Sequence, residues 1–359
     1  MKHLPALDGV RGLAILLVML FHLGLPGFSL GWAGVPLFFV LSGFLITGLL
    51  IEEKGAKFSS YLRSFYVKRT LRIFPLFYAY LAFNLALLVV TGRSFEGYAW
   101  YLLYLQNHQI GLALDAGGYV PGIVGHTWSL AVEEQFYLAW PFLVYFLNRR
   151  QLAWLCIALI VASPVTRWLI LSSSGNVYLA NVTLPSCLDM MAYGGLLALL
   201  RSSEMGTKLV FALSGLGLAV VAYAISDLGL ASFWEPKLWA NSAFYLYTAL
   251  AFVFGSVIWL AAVKPNALLV RLLSSRALLF TGKISYGLYI WHLICFLAVA
   301  KLATRFPSPA TVWVSPLVSL ALAYAVSIAS YYWFEVHFLR LKERFAARRS
   351  TSAGELERA

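Results

Sequence analysis

Residues 9–25 read GVRGLAILLVMLFHLGL, an apolar run interrupted only by Arg11 near its start and His22 near its end. An eleven-residue spacing is about three helical turns, so both side chains share one face roughly 16 Å apart. If the run crosses a membrane, Arg11 sits at its edge and His22 well inside. A cation at the rim and an imidazole in the hydrocarbon zone are costly unless they face a protein interior, a cavity or a reaction path.

Composition agrees with that reading of the run. Of 359 residues, 61% are hydrophobic and 12% charged, with a mean hydropathy of +0.79. Soluble domains have an apolar share nearer ~45–50%, so the expected fold is an all-α polytopic membrane protein. The net charge of +12 could suggest a nucleic-acid partner, but its distribution points to a membrane instead. At about twenty residues per span, the chain divides into ten: 9–25, 32–51, 75–92, 127–147, 152–172, 184–200, 209–226, 239–262, 284–303 and 313–334. The segments 1–11, 52–74, 148–151, 201–208, 264–283 and 335–359 then hold 22 of the 27 Lys and Arg residues. Arg93, Arg167, Lys237, Lys301 and Arg305 fall on the other side. By the positive-inside rule both termini are cytoplasmic. The first run shows no small-residue cleavage site and reads as an anchor.

Residues 98–125, YAWYLLYLQNHQIGLALDAGGYVPGIVG, are apolar enough to tempt an eleventh span. Counting them as one would invert everything downstream and put Arg149, Arg150 and the basic 264–283 loop outside. They read instead as an interfacial or re-entrant piece, tolerable where it lines a cavity. Cys156, Cys187 and Cys295 lie in apolar runs without paired spacing, so neither a disulfide framework nor a metal site is expected.

Polar residues inside the spans mark the candidate chemistry. HTWSLAVEEQFYLAWP carries His126, Ser129, Glu133 and Tyr137 at i, i+3, i+7 and i+11, a polar stripe on one helix face, with Glu134 about 100° away. A carboxylate there is either neutralised by an arginine to lock helices or used in chemistry. Asp189 lies at a similar outer-half depth, and either acid would suit as a partner for His22. Ser42-Gly43 in WAGVPLFFVLSGFLITGLLI reads first as close helix packing. Lys68, Arg69 and Arg72 precede Pro75; Arg69 and Arg72 share a face, and guanidinium groups suit phosphate as well as topological retention. Ser285, Tyr289 and His292 align in GKISYGLYIWHLICF, where a lone histidine is most simply a satisfied interior residue.

These motifs in this order, LDGVRGLAILLVMLFH with its Arg-to-His spacing, FFVLSGFLIT, KRTLRIFPLFY, HTWSLAVEEQFYLAWP and GKISYGLYIWH, resemble the acyltransferase type 3 family of integral membrane acyltransferases. The family includes bacterial O-antigen (lipopolysaccharide) and exopolysaccharide acetylases. The resemblance implies a membrane domain over 1–340 followed by a basic cytoplasmic tail, 341–359, in a bacterial inner membrane. It also implies transfer of an acyl group, commonly acetyl from cytoplasmic acetyl-CoA, to a hydroxyl of a glycan or lipid-linked acceptor. By position, Arg11 and His22 match the family's functional pair, Arg69 and Arg72 its cytoplasmic arginines, and Glu133 the acid of its SLxxE segment. His22 is then the expected general base, with Glu133 as its orienter or as a proton acceptor. Arg11, Arg69 and Arg72 serve the acyl-CoA phosphates, and Ser42, Ser129, Tyr137, Asp189, Tyr289 and His292 are substrate or oxyanion candidates. The chain departs from the family at Cys187, where an arginine often stands two residues before the aspartate, which argues against Asp189 belonging to an ion pair. No soluble esterase-type domain is expected after span ten, so the membrane core or a separate partner would complete the transfer. The competing class is a proton-coupled secondary transporter using His22, Glu133 and Asp189 as a relay; an idle carrier that keeps the fold is a third.

Overall fold

Proline at the first helical position costs no hydrogen bond, and Pro5 opens the first helix, α1, Pro5–His22. The computed structural model describes residues 4–118, 120–201, 203–234, 240–264 and 267–341. After α1, a single turn at Gly31–Ala33 leads into α2, Gly34–Glu53, and then α3, Phe58–Val90. Two short helices follow, α4, Ala99–Leu102, and α5, Gln106–Asp115. Next come α6, Trp128–Phe146, α7, Arg149–Ser174, α8, Val177–Val182, and α9, Leu184–Leu200. The remainder comprises α10, Glu204–Leu228, α11, Ala240–Val263, α12, Leu268–Leu273, α13, Arg276–Lys283, α14, Ser285–Ala303, and α15, Pro309–Ser330. A single π turn, Tyr331–Glu335, closes α15. No strand occurs among the described residues. The expected tail lies outside them from residue 342 onward.

Among the described residues nine helical stretches are long and apolar enough to cross a membrane. They correspond to nine of the ten expected spans. The tenth, α6, has 19 residues, but the run Glu133, Glu134 and Gln135 lowers its hydropathy. Residues 98–125 form no spanning helix: α5 has ten residues, about 15 Å against a ~30 Å hydrocarbon core. The largest difference from the expected boundaries is at the start of α3. Residues from 58 onward, read as part of a basic loop, are helical and continue through Pro75 into one 33-residue helix. A proline inside a membrane helix is tolerated because neighbouring groups satisfy the carbonyl it frees.

The chain forms two compact units. The larger comprises residues 4–52 and 94–285, the smaller 53–93 and 286–341. In the larger unit, glycines set the helix contacts. A side chain on Gly9 would strike the carbonyl of Leu273, one on Gly12 that of Leu278, and one on Gly282 that of Asp8, so α1 lies backbone to backbone on α12 and α13. The same holds for α2 on α9: Gly43 has no room against Met191, nor Gly194 against Val40. Small residues drive such approach because lipid offers apolar side chains no advantage over itself. The packing reading of Ser42-Gly43 is therefore correct for Gly43. Ser214 and Ser256 join α10 to α11 through a buried hydroxyl pair at 3.0 Å.

Side-chain amides hold the short helices in place. Gln135 on α6 donates to the Tyr104 carbonyl at 2.8 Å and to Asn107 Oδ1 at 2.9 Å. Asn107 donates to the Val182 carbonyl at 3.0 Å, and Gln106 to that of Thr127 at 3.0 Å. Tyr104, with φ +54°, takes the left-handed conformation at the bend before α5. In the smaller unit α3 and α14 meet where the Tyr286 hydroxyl donates to the Ile73 carbonyl at 2.6 Å. The ring of Trp291 packs edge-on against Tyr80.

Gly12→Val forces α1 off α13, an overpacking change of the kind that costs about 1–3 kcal/mol. Thermal unfolding of the purified protein in detergent should show a lower midpoint than for Gly215→Val, an exposed helical position on α10 with open space around it and an ordinary backbone angle; equal midpoints would contradict this packing.

Candidate active site

Gly24 in the left-handed region and Pro26 behind it stop α1, so His22 is the last residue of the helix. The imidazole therefore stands at the helix end, exposed and edge-on to Phe21 at 5.4 Å, rather than within a span continuing to residue 25. Arg11, on the same rigid helix, is ion-paired to Asp8 one turn earlier, and both side chains retain partial exposure. The Asp8 partner had no place in the expected site, although its i, i+3 spacing was visible.

The stripe on α6 meets α2 at Tyr137. Tyr137 shares a 2.5 Å hydrogen bond with Ser42, and Trp140, one turn on, donates to Thr47 at 2.9 Å. Glu133 lies one turn before Tyr137 on that face, half-buried; Ser129 is buried one turn earlier. His126 is buried in the turn Gly125–Thr127 that precedes α6. Two of the proposed substrate contacts, Ser42 and Tyr137, thus meet directly.

Asp189 has a different surrounding from the expected one. Arg167, assigned by charge counting to the outer side, is fully buried within α7 and pairs with Asp189 at 2.7 and 3.2 Å; neither side chain has any accessible surface. Thr248 on α11 donates to the same carboxylate at 2.6 Å and accepts from Arg167 at 2.9 Å. The guanidinium also donates to the carbonyls of Ser186 and Phe244, and Ser163 accepts from the Asp189 amide at 2.9 Å. The argument from Cys187 against an ion pair fails, because the arginine comes from another helix. With its oxygens committed to Arg167 and Thr248, Asp189 is not placed as a proton carrier. The missed signal was Arg167 itself, an arginine inside the expected span 152–172 that required a buried partner.

A ring sequence links this pair to α1. Arg167 lies over the Tyr247 ring at 5.5 Å, and Tyr247 packs on Trp32 at 5.3 Å, in the turn between α1 and α2. Neighbouring Gly31 presses on Leu17 and Phe21, leaving no space for a side chain.

The remaining candidates belong to the smaller unit. Arg69 and Arg72 are half-buried on α3, Arg69 5.8 Å above the Phe65 ring, while Lys68 pairs with Glu53 at 2.7 Å. Glu335, in the π turn, accepts from Ser330 at 3.1 Å and interacts electrostatically with Arg72. His292 is fully buried, its Nδ1 donating to the carbonyls of Tyr289 and Leu288 at 2.8 and 3.0 Å, the expected interior arrangement. Tyr289 is buried 6.0 Å from its ring.

The model of the acyltransferase family 3, described as an acyltransferase domain, matches residues 4–332. The chain belongs to this family. Its similarity extends to YrhL of Bacillus subtilis (strain 168), provisionally named a peptidoglycan O-acetyltransferase, at 29% identity over 312 residues, 81% of this chain and 48% of YrhL. It also extends to the O-acetyltransferase OatA of Staphylococcus aureus (strain NCTC 8325 / PS 47), at 27% identity over 353 residues, 91% of this chain and 56% of OatA. The chain spans about half the length of these curated relatives. No solved structure matches it. As an acyltransferase 3 protein, it is a multi-pass integral membrane protein, with Arg11 and His22 on one helix.

Breaking the buried pair leaves an uncompensated charge, at a cost of about 3–5 kcal/mol. Arg167→Met and Asp189→Leu should each lower the unfolding midpoint strongly, and the double variant should recover most of the loss. A double variant as unstable as the sum of the singles would mean that the two residues act independently.

Proposed function

We propose that the protein is a membrane-embedded O-acyltransferase that moves an acyl group, commonly acetyl, from cytoplasmic acyl-CoA to a hydroxyl of a glycan or lipid-linked acceptor. The family match supports the reaction class, and the relatives' names favour a peptidoglycan hydroxyl within the glycan class over lipopolysaccharide. The observation that carries the reading is α1, a single helix with Arg11 about two turns in from its start and His22 as its last residue. Arg11 and His22 are roughly 16 Å apart along it, a span suited to separate donor and acceptor entrances.

In this reading His22 removes the proton from the acceptor hydroxyl as its oxygen attacks the thioester carbonyl. The carbon–sulfur bond then breaks, and the products are an ester and the free thiol of the coenzyme. A thioester is already activated, so the protein's task is to supply the base and to stabilise the oxyanion. Glu133 orients the base, and Ser42 and Tyr137, whose hydroxyls share one proton between them at 2.5 Å, use the O–H that this bond leaves to donate to the oxyanion. Arg11 suits a coenzyme phosphate, to which guanidinium groups are matched, and Arg69 and Arg72 in the smaller unit offer the same match.

Acyl release from radiolabelled acetyl-CoA by the purified protein tests this assignment. His22→Ala should bind coenzyme yet lose turnover by about 100-fold or more, the scale of a lost general base. Arg11→Ala should weaken coenzyme binding. A wild type that neither binds nor consumes acetyl-CoA, with His22→Ala indistinguishable from it, would sink the donor assignment.

A further inference from the structure

A cavity of about 400 Å³ opens in the larger unit where α2 ends and α7 begins. Its inner wall is apolar, formed by Phe44, Ile51 and Ala198 with Gly48 between them, and its mouth carries Glu52, Arg149 and Arg201. From Glu52 to Phe44 the cavity follows α2 for about 12 Å, more than two turns. Arg149, at the first position of α7, reaches across to donate to the Leu199 carbonyl at 2.8 Å. Arg201 stands two residues further on, at the end of α9, and donates to the Ala262 carbonyl at 3.4 Å. The two guanidinium groups are thus brought to one end of α9 by backbone bonds. Each of these bonds uses one of the five N–H donors a guanidinium carries, and neither arginine makes an ion pair among the described residues. Two arginines against one glutamate give the lining a net charge of +1.

That combination suits a particular ligand chemistry. Paired guanidinium groups match phosphate oxygens, and basic pockets between membrane helices take lipid head groups. An apolar wall running inward from the arginines suits a tail attached to the phosphate. We propose that this cavity binds a phosphate ester with an extended tail, the phosphate at Arg149 and Arg201 and the tail along Phe44, Gly48 and Ala198. A lining charge of +1 balances a single phosphodiester, the charge state of a membrane phospholipid. The pantetheine arm of an acyl donor is the other source of the same chemistry, and Phe44 at the inner end stands two residues along α2 from Ser42. The site is separate from the arginines assigned to the coenzyme above, and phosphate binding here does not depend on that assignment.

The test uses the purified full chain in maltoside micelles, with two probes, spin-labelled phosphatidylglycerol and tritiated coenzyme A. Arg149→Gln/Arg201→Gln should bind one of them at least tenfold more weakly than wild type, whereas Arg149→Lys/Arg201→Lys should retain most of the affinity. Loss confined to phosphatidylglycerol identifies a lipid site, and loss confined to coenzyme A identifies the donor arm. Ala198→Trp, which fills the cavity and keeps both arginines, should weaken the same probe, and it decides the matter if the glutamine variant does not fold. The proposal is overturned if wild type binds neither probe, or if the glutamine and tryptophan variants bind both as wild type does. A wild type that binds phosphatidylglycerol here but neither binds nor consumes acetyl-CoA would leave this site standing and defeat the transferase reading.

Discussion

A fully buried arginine and aspartate, neither with any accessible surface, hold three helices of the larger unit together. Each charge alone costs about 2.5–3.5 kcal/mol to place at the centre of a membrane helix, so neither Arg167 nor Asp189 is stable there without the other. The pair is completed by Thr248 and by the carbonyls of Ser186 and Phe244, which use up the guanidinium donors that the carboxylate leaves. This requirement fixes how α7, α9 and α11 can meet, since moving any one of them strands a charge. Through Tyr247 and Trp32 the same cluster supports the turn that follows His22.

The second constraint is the close approach of backbones. Glycines 9, 12 and 282 bring α1 onto α12 and α13, and Gly43 and Gly194 do the same for α2 and α9. In hydrocarbon, apolar area contributes little to helix association, and close packing with satisfied polar groups takes its place. The helix bearing Arg11 and His22 is therefore held along its length, and His22, its last residue, packs edge-on to Phe21. α6 is fixed from two sides, by Tyr137 and Trp140 toward α2 and by Gln135 toward α5, which leaves Glu133 at a defined height on the first of those faces.

Much of this was legible in the chain. Nine apolar helices, the non-spanning nature of 98–125 and the polar stripe on α6 follow from hydropathy, length and helical period, all of which are local properties. That Arg11 and His22 share one helix was legible for the same reason. Arg167 was misread because charge counting treats an arginine as a topological marker, whereas a span containing one signals a buried partner. Gln135 and Asn107 passed unnoticed because amides bonded to distant carbonyls leave no periodic trace. The end of α1 at His22 was written in Gly24 and Pro26, but the apolar residues around them masked it.

By itself the sequence determined the class of protein, the number and placement of its long helices and the residues whose polarity requires an explanation. These depend on how each segment partitions between water and lipid, which the segment's own composition decides. The tertiary structure alone decided which polar residue answers which: Asp189 to Arg167 and Thr248, Tyr137 to Ser42, Arg149 to the end of α9. Such pairings join residues 22 to 95 positions apart. They are selected by the cost of leaving a buried donor or charge unmet, a cost that appears only once the helices have been brought together.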